Sequence, residues 1–459
     1  MTHDVAVVGA GLTGLVAAHA LERQGVRVIV IEAASKPGGV IATHRHDRYL
    51  VETGANSVLD TTPRLGQLLD ELGIAGERVE ASAAARKRYV VRRGKPVALP
   101  MSPPALLASP LFSMRAKLRV LREPFVARAE ADDEESVAAF VRRRLGEEFL
   151  DYAVDPFVSG VYAGDPDALS MAAAFPRLHA LEQMHGGLVR GQIASVRAQK
   201  RRGEPVQSSK SFSFRRGMQT LPEALAHRLS HCVQGTEAVS IDHEPRRGFV
   251  VRTVRGDIPV PAAVIATSAW AAVPLVAPLA PAAAHALAQI AHPSVAIVAT
   301  AYRRADVTHA LDGFGMLVPG RERRKILGTL FSSTLFADRA PAGDVLLTTF
   351  AGGRRQPAVA ALDDTELLAT VEHELAELLG AHSPRWSRII RWPRAIPQYE
   401  LGHRERVGAA LGAIAKVPGL HLCGSWRDGV AVGDRVVAGY AIADDVVTFL
   451  RHPAPAVPA

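Results

Sequence analysis

The sequence predicts an α/β protein in which a parallel, nucleotide-binding sheet is interrupted by a mixed β-sheet lobe and a mostly helical insertion. Three observations predict it. A strand–helix–strand unit with three spaced glycines opens the chain. Apolar strand patterns return near residues 263–267 and 421–425, far from that opening unit. Between them the periodicity changes, from helical over 101–200 to alternating over 295–353. The chain has 459 residues, enough for two or three lobes, and its 48% hydrophobic and 22% charged residues are those of an ordered globular protein.

The first strand is Val5-Ala6-Val7-Val8. It ends in Gly9-Ala10-Gly11-Leu12-Thr13-Gly14, a G-x-G-x-x-G spacing, and a helical pattern follows over 15–21. A second strand, Val28-Ile29-Val30-Ile31, ends on Glu32, with Ala33 next. Gly9 permits a tight turn, Gly11 lets the backbone approach a pyrophosphate, and Gly14 lets helix pack on strand. The helix N-terminus offers free N–H groups and a positive dipole end to phosphate. Glu32 can accept hydrogen bonds from a ribose hydroxyl pair. An ordinary glycine-rich turn would show the glycines alone; the flanking strand, helix and acid argue for a dinucleotide.

The next residues separate flavin from nicotinamide. The pair Gly38-Gly39, followed by Val40, resembles the second FAD fingerprint of the large flavoprotein oxidase superfamily. Tyr49-Leu50-Val51-Glu52-Thr53-Gly54-Ala55-Asn56-Ser57 resembles its next flavin-contacting loop. The resemblance implies bound FAD, with the pyrophosphate over residues 9–14 and the ribose on Glu32. Gly39, Val40, Gly54, Ala55, Asn56 and Ser57 then line the path to the isoalloxazine. It further implies adenine contact at Ala238 or Val239, and Trp392, Val430, Ala431 and Val432 closing over the flavin. No cysteine stands where relatives anchor flavin covalently, so the FAD is expected to be noncovalent.

The expected organisation is a Rossmann-type FAD-binding domain of the flavin amine oxidase type in three parts (1–87, 211–284 and 389–450). A substrate-binding sheet comes from 88–100 and 285–388. A helical domain spans 101–210, and 451–459 is a tail. Within the helical part, helices are expected over 111–125 and 136–152, with a charged turn at 130–135 and a linker at 203–210. A helix is expected over 364–379 and a closing one over 433–450.

Taken end to end, the chain resembles the oxygen-dependent protoporphyrinogen oxidase family and its coproporphyrinogen-oxidising relatives. The most specific stretch is Ser159-Gly160-Val161-Tyr162-Ala163-Gly164-Asp165-Pro166 with Ala168-Leu169-Ser170-Met171. Supporting it are Arg88-Tyr89-Val90, Ala395-Ile396-Pro397-Gln398-Tyr399 with Gly402-His403, and Asp428-Gly429-Val430-Ala431-Val432-Gly433. The family reaction removes six electrons from a porphyrinogen through flavin hydride transfers, with dioxygen as acceptor and hydrogen peroxide as product. Flavin N5 carries that chemistry, so no catalytic side chain and no metal are expected. Arg88 is the expected carboxylate anchor, with Arg86 its competitor, because a guanidinium holds a carboxylate bidentately. Gly160 is expected to approach the macrocycle by its backbone, and Phe331 to wall it. Coproporphyrinogen III is the alternative substrate. Flavin amine oxidases are the nearest decoy, but they usually carry arginine where Val40 stands and A-G-E where this chain has Cys423-Gly424-Ser425-Trp426. A nonenzymatic FAD or porphyrin carrier is the rival from another class.

Net charge is +8 with a pI near 9.7, which suits an acidic substrate or anionic lipid as well as a generally arginine-rich background. No basic helix carries base-reading residues, which argues against nucleic acid. Two distant cysteines, Cys232 and Cys423, fit a reducing compartment. No leader pattern precedes Val5 and no apolar run approaches the ~18 residues of a spanning helix. The expected location is therefore the cytoplasm, or the inner face of the cell membrane by peripheral contact. Leu106, Leu107, Leu111, Phe112 and Met114 beside Arg115, Lys117 and Arg119 suit shallow burial at lipid headgroups. They suit equally a neighbouring helix or a homodimer contact.

Overall fold

The computed structural model describes residues 3–129, 134–202, 210–244 and 248–452. The charged turn at 130–135, the linker at 203–210 and the tail at 451–459 lie largely outside the described residues.

At the centre is a five-stranded sheet in the order Cys232–Val233, Val28–Ile31, Val5–Val8, Ala262–Ile265, Leu420–Leu422. Every pairing in it is parallel. Strands β1 (Val5–Val8) and β2 (Val28–Ile31) and the strand Ala262–Ile265 are buried throughout, which is why each reads as an unbroken apolar run. Helix α1 (Leu12–Arg23) and the last helix, Val432–Arg451, cover one face. Ala269–Val276, Pro281–Ala288 and His403–Ile414 cover the other. Gly439 sets the distance between the two helices of the first face. A Cβ there would lie 2.6 Å from Val16 Cβ and 2.9 Å from Thr13 O.

A seven-stranded sheet stands beside this core. Its order is Trp386–Trp392, Val295–Arg303, Asp344–Gly352, Ile326–Leu330, Gly313–Leu317, Lys87–Arg92, Lys95–Ala98. One face packs on the helix Asp364–Leu379 through Tyr89, Val91, Met316, Phe331 and Leu347. Register places Val90, Leu317, Gly328, Phe350, Ile297 and Ile390 in one row across the opposite face. Two expected boundaries shift. Residue 285 falls inside Pro281–Ala288, whose alanines bury on the nucleotide-binding core. Residue 388 falls inside Trp386–Trp392, which pairs with the large sheet over its whole length.

The helical part holds Pro103–Ala108, Met114–Leu121, Val137–Arg144, Asp155–Tyr162, Pro176–His185 and Leu188–Arg202. Two expected helices are corrected. The one over 111–125 starts only at Met114, where the Ser113 hydroxyl accepts from Ala116 N, and Leu111 and Phe112 are core residues before it. The one over 136–152 breaks at Gly146, whose φ of 92° lies outside the helical region. Two of the expected headgroup cations are also used internally. Lys117 Nζ donates to Leu107 O at 2.7 Å, and Arg119 Nη2 donates to Arg143 O at 2.6 Å.

Candidate active site

The glycine turn has two tight positions and one open one. Gly9 has φ 105°, and a Cβ there would lie 3.0 Å from Ala266 O. At Gly14 a Cβ would lie 2.2 Å from Gly9 O. Gly11 caps α1 without any side-chain bond, and a Cβ on it would meet nothing within 4 Å. The space over this helix N-terminus is therefore open, and α1 presents uncapped N–H groups to it, which is what a pyrophosphate requires.

Glu32 ends β2 beside that turn. Its carboxylate accepts from Ala10 N at 2.7 Å and from Ala34 N at 2.8 Å. Each oxygen keeps a second lone pair for a hydroxyl donor. Ala33 next to it is exposed. Thr236 N donates to Glu32 O and Gly235 N to Ala34 O, both at 2.8 Å, so the chain reaches Ala238 and the 57%-exposed Val239 directly from the ribose end.

The second glycine pair lies on the first turn. Gly38 N donates to Ala10 O at 2.8 Å, and a Cβ on Gly39 would stand 3.5 Å from Gly11 Cα. Val40 follows with 36% of its surface accessible, high for an apolar residue in a cleft. A Cβ on Gly54 would lie 2.1 Å from Val40 O, so these two segments touch through backbone. Asn56 uses its side chain locally, donating to Gly54 O at 3.0 Å; Ala55 and Ser57 beside it are half-buried. Trp392 Nε1 donates to Thr53 O at 2.6 Å, which ties the large sheet to this loop.

Val430, Ala431 and Val432 open the last helix, which Ala431 caps without a side-chain bond. That helix runs parallel to α1: Gly439 lies against Val16, and further along Gln24 Nε2 donates to Asp444 Oδ1 at 3.3 Å. Neither helix is capped by the side chain of the residue before it, and Asp434 in the first turn of the last helix accepts from Ala431 N.

Glu52, within the stretch that resembles the flavin-contacting loop, supports that loop from inside the protein. It is buried beneath the loop, where it accepts from the Thr43 hydroxyl at 2.6 Å and from Met218 N at 3.0 Å, with Arg339 Nη2 3.8 Å away. Burial pushes its carboxyl up to about 7. Glu52 reads as one polar position in an apolar strand, and nothing local shows that residue 218 closes over it.

On the substrate side, Arg88 is exposed and pairs with no described carboxylate; its guanidinium carbon lies 5.4 Å from the Phe314 ring centroid. Its neighbour Lys87 is engaged with Asp312 at 2.5 Å. Arg86 is exposed just before the strand. Gly160 is an exposed position on Asp155–Tyr162, and a Cβ there would lie 2.6 Å from Leu317 Cδ2. This helix therefore rests on the apolar row of the large sheet through a glycine.

Phe331 is a correction. It is 0% exposed and packs with Tyr89 and His309 in the opposite core. The residue before it, Leu330, shares by register the other face of the sheet with Gly328 and Phe350, and packs partly accessible beside Phe314 against Ala85, Leu335 and Phe336. Among the described residues no His/Cys/Asp/Glu group could hold a metal.

The residues present fit FAD: a Cβ at Gly11 on the N-terminus of α1 would meet nothing within 4 Å, Glu32 ends the neighbouring strand with lone pairs free for hydroxyl donors, and the accessible Val40 follows the second glycine pair. Together with its family match, this makes the chain an FAD-dependent oxidoreductase. Residues 12–447 match the family described as flavin containing amine oxidoreductase, and the chain belongs to that family. Mitochondrial protoporphyrinogen oxidase of Nicotiana tabacum is 34% identical over 97% of this chain and 95% of its own length. Coproporphyrinogen III oxidase of Bacillus subtilis (strain 168) is 26% identical over 97% of this chain and 98% of its own. A crystal structure from Exiguobacterium sp. 255-15 superposes with a TM-score of 0.82 at 23% identity, covering 97% of this chain and 99% of that one.

Proposed function

We propose that this protein oxidises protoporphyrinogen IX to protoporphyrin IX in heme biosynthesis, removing six electrons with dioxygen as acceptor and hydrogen peroxide as product. When bound, FAD supplies the hydride acceptor, at its N5. The chain supplies the surface that holds the macrocycle against it. Arg88 holds a propionate at one edge. Leu317, Leu330 and Phe350 form an apolar wall, and Gly160, seated on Leu317, brings backbone rather than a side chain to its edge. Trp392 lies at the far side of that face and is bonded to the flavin loop. One observation carries the reading: a single sheet face leads from an unpaired arginine, across an apolar row, to a tryptophan fixed on the FAD segment.

Coproporphyrinogen III is the alternative, because relatives of that name align over the same 97–98% of the chain. The test is anaerobic mixing of FAD-loaded protein with each porphyrinogen and, separately, with amines. Flavin bleaching and porphyrin fluorescence are followed, then peroxide on admitting oxygen. A flavin that stays oxidised with both porphyrinogens overturns the reading, and reduction by amines alone replaces it with an amine oxidase. Arg88→Ala is expected to raise KM about tenfold or more while leaving kcat nearly unchanged.

The helical part is proposed to rest on an anionic membrane surface at the cytoplasmic face. Met101, Leu107, Met114, Leu118, Leu121 and the 83%-exposed Phe125 support this, with exposed Arg115 and Arg122 among them. No helix of the described residues is long and apolar enough to cross a membrane. Cosedimentation with anionic vesicles checks it. A dimer that ignores vesicles assigns the patch to a second copy instead.

A further inference from the structure

In the segment Ala395-Ile396-Pro397-Gln398-Tyr399, with Gly402 and His403, Ala395 and Ile396 pack half-buried on the sheet face beside Ile297 and Phe350, while Pro397, Gln398, Tyr399 and His403 are buried. Gln398 Nε2 donates to Tyr162 O at 2.8 Å, and Tyr399 O accepts from Ser170 N at 2.8 Å. Both bonds anchor the segment to the helical part. The Tyr399 ring stacks on His403, with centroids 4.4 Å apart and planes 20° apart.

The polar tips of this pair all reach one loop. The Tyr399 hydroxyl donates to Ser425 O and accepts from Gly429 N at 3.1 Å. His403 Nε2 donates to Trp426 O at 2.9 Å. Only the tautomer protonated at Nε2 can donate to that carbonyl, which leaves Nδ1 buried without a partner. The loop also closes on itself, since Asp428 Oδ2 accepts from Gly424 N at 2.9 Å. Residues 424–431 lead directly into the N-terminus of Val432–Arg451, where Asp434 in the first turn accepts from Ala431 N and the backbone N–H groups of the turn receive no other side-chain cap. A phenylalanine at 399 would stack on His403 equally well. The hydroxyl adds only the two bonds to the loop.

We propose that Tyr399 and His403 are positioning residues that fix the backbone of residues 424–431, and with it the positive end of the last helix, against the flavin. The inference rests on Val430, Ala431 and Val432 lining the flavin. Reduction adds negative charge to the ring, and a preorganised helix N-terminus stabilises that charge only if it is held at the right distance. The pair acts through this loop and touches neither flavin nor substrate.

The test uses FAD-loaded full-length protein carrying Tyr399→Phe or, separately, Ala431→Asp. Tyr399→Phe is expected to shift the flavin reduction equilibrium about tenfold toward the oxidised form, about 30 mV lower for a two-electron couple. Anaerobic flavin reduction by protoporphyrinogen IX should slow by a similar factor, with KM unchanged. Ala431→Asp puts a carboxylate at the helix N-terminus and should lower the potential whatever residue 399 is. If Tyr399→Phe leaves potential, flavin spectrum and kcat unaltered while Ala431→Asp shifts them, the positioning role is overturned, even if thermal stability falls. If neither variant moves the flavin, residues 430–432 do not line it and the inference falls with that placement. Should Tyr399→Phe not accumulate as holoenzyme, His403→Asn carries the same test through the Trp426 carbonyl.

Discussion

A glycine with nothing beside it and a glycine with no room beside it make opposite predictions. At Gly11 a side chain enters open space. Gly11→Val should leave apoprotein stability within about 0.5 kcal/mol and weaken FAD binding at least about tenfold, because the added atoms occupy the phosphate volume. At Gly14 the Cβ meets the Gly9 carbonyl. Gly14→Ala should destabilise the apoprotein by about 2 kcal/mol, since backbone must move. Thermal unfolding of apoprotein and FAD titration separate the two. His403 makes a pH prediction. Burial holds it down at about 4 in the fold, against 6.5 when free. A depressed histidine contributes stability that is complete above pH 6.5 and is lost as pH falls toward 4, about 3 kcal/mol in all. His403→Gln should flatten the acid limb of a melting-temperature profile over that window, and an unchanged limb refutes the assignment. The glycines and Glu32 were legible in the sequence because their chemistry is local. The contacts of Glu52, Tyr399 and His403 were not, because Trp426, Ser425, Gly429 and Met218 lie 23 to 166 residues from the side chains they meet.

Single strands show how close a correct region can come to a wrong residue. Phe331 was expected to wall the macrocycle, yet it sits on the other side of the sheet. Side chains alternate faces along a strand, so a one-residue slip exchanges wall for core. Phe331→Ala should therefore cost about 3–5 kcal/mol of stability. Phe350→Ala should leave more of the fold intact and act chiefly on KM for porphyrinogen. Denaturant unfolding and steady-state kinetics on both variants decide it, and the reverse pattern would return Phe331 to the wall. Helix ends were read less well than strands. The break at Gly146 depends on one residue's φ, and the start at Met114 on one hydroxyl; neither interrupts the apolar period enough to be seen in it.

Across the whole molecule, two expected lobe edges, 285 and 388, fall inside secondary-structure elements. The alternation of Trp386–Trp392 contains Arg388 and Arg391, which blurs its membership of the large sheet, and Pro281–Ala288 is assigned only by the core it buries on. If FAD occupies the proposed site, it touches the parallel sheet, the large sheet through Trp392 and the last helix, and its binding free energy is shared by all three. Saturation at 100 times Kd adds about 2.7 kcal/mol to the folded state, worth about 3 °C in a chain of this length. Stripping FAD should lower every lobe's transition together. A shift confined to one transition would show that the lobes melt independently.

The face of α1 that Gly439 closes waits for a partner made more than four hundred residues later. At roughly 5–20 residues per second, the ribosome takes on the order of tens of seconds to deliver that partner. Throughout that interval the nascent chain carries an unfinished nucleotide fold with bare apolar flanks. Closure of that face is thus a late event of biogenesis, and a product that stops before Val432 is expected to leave the apolar face of α1 uncovered.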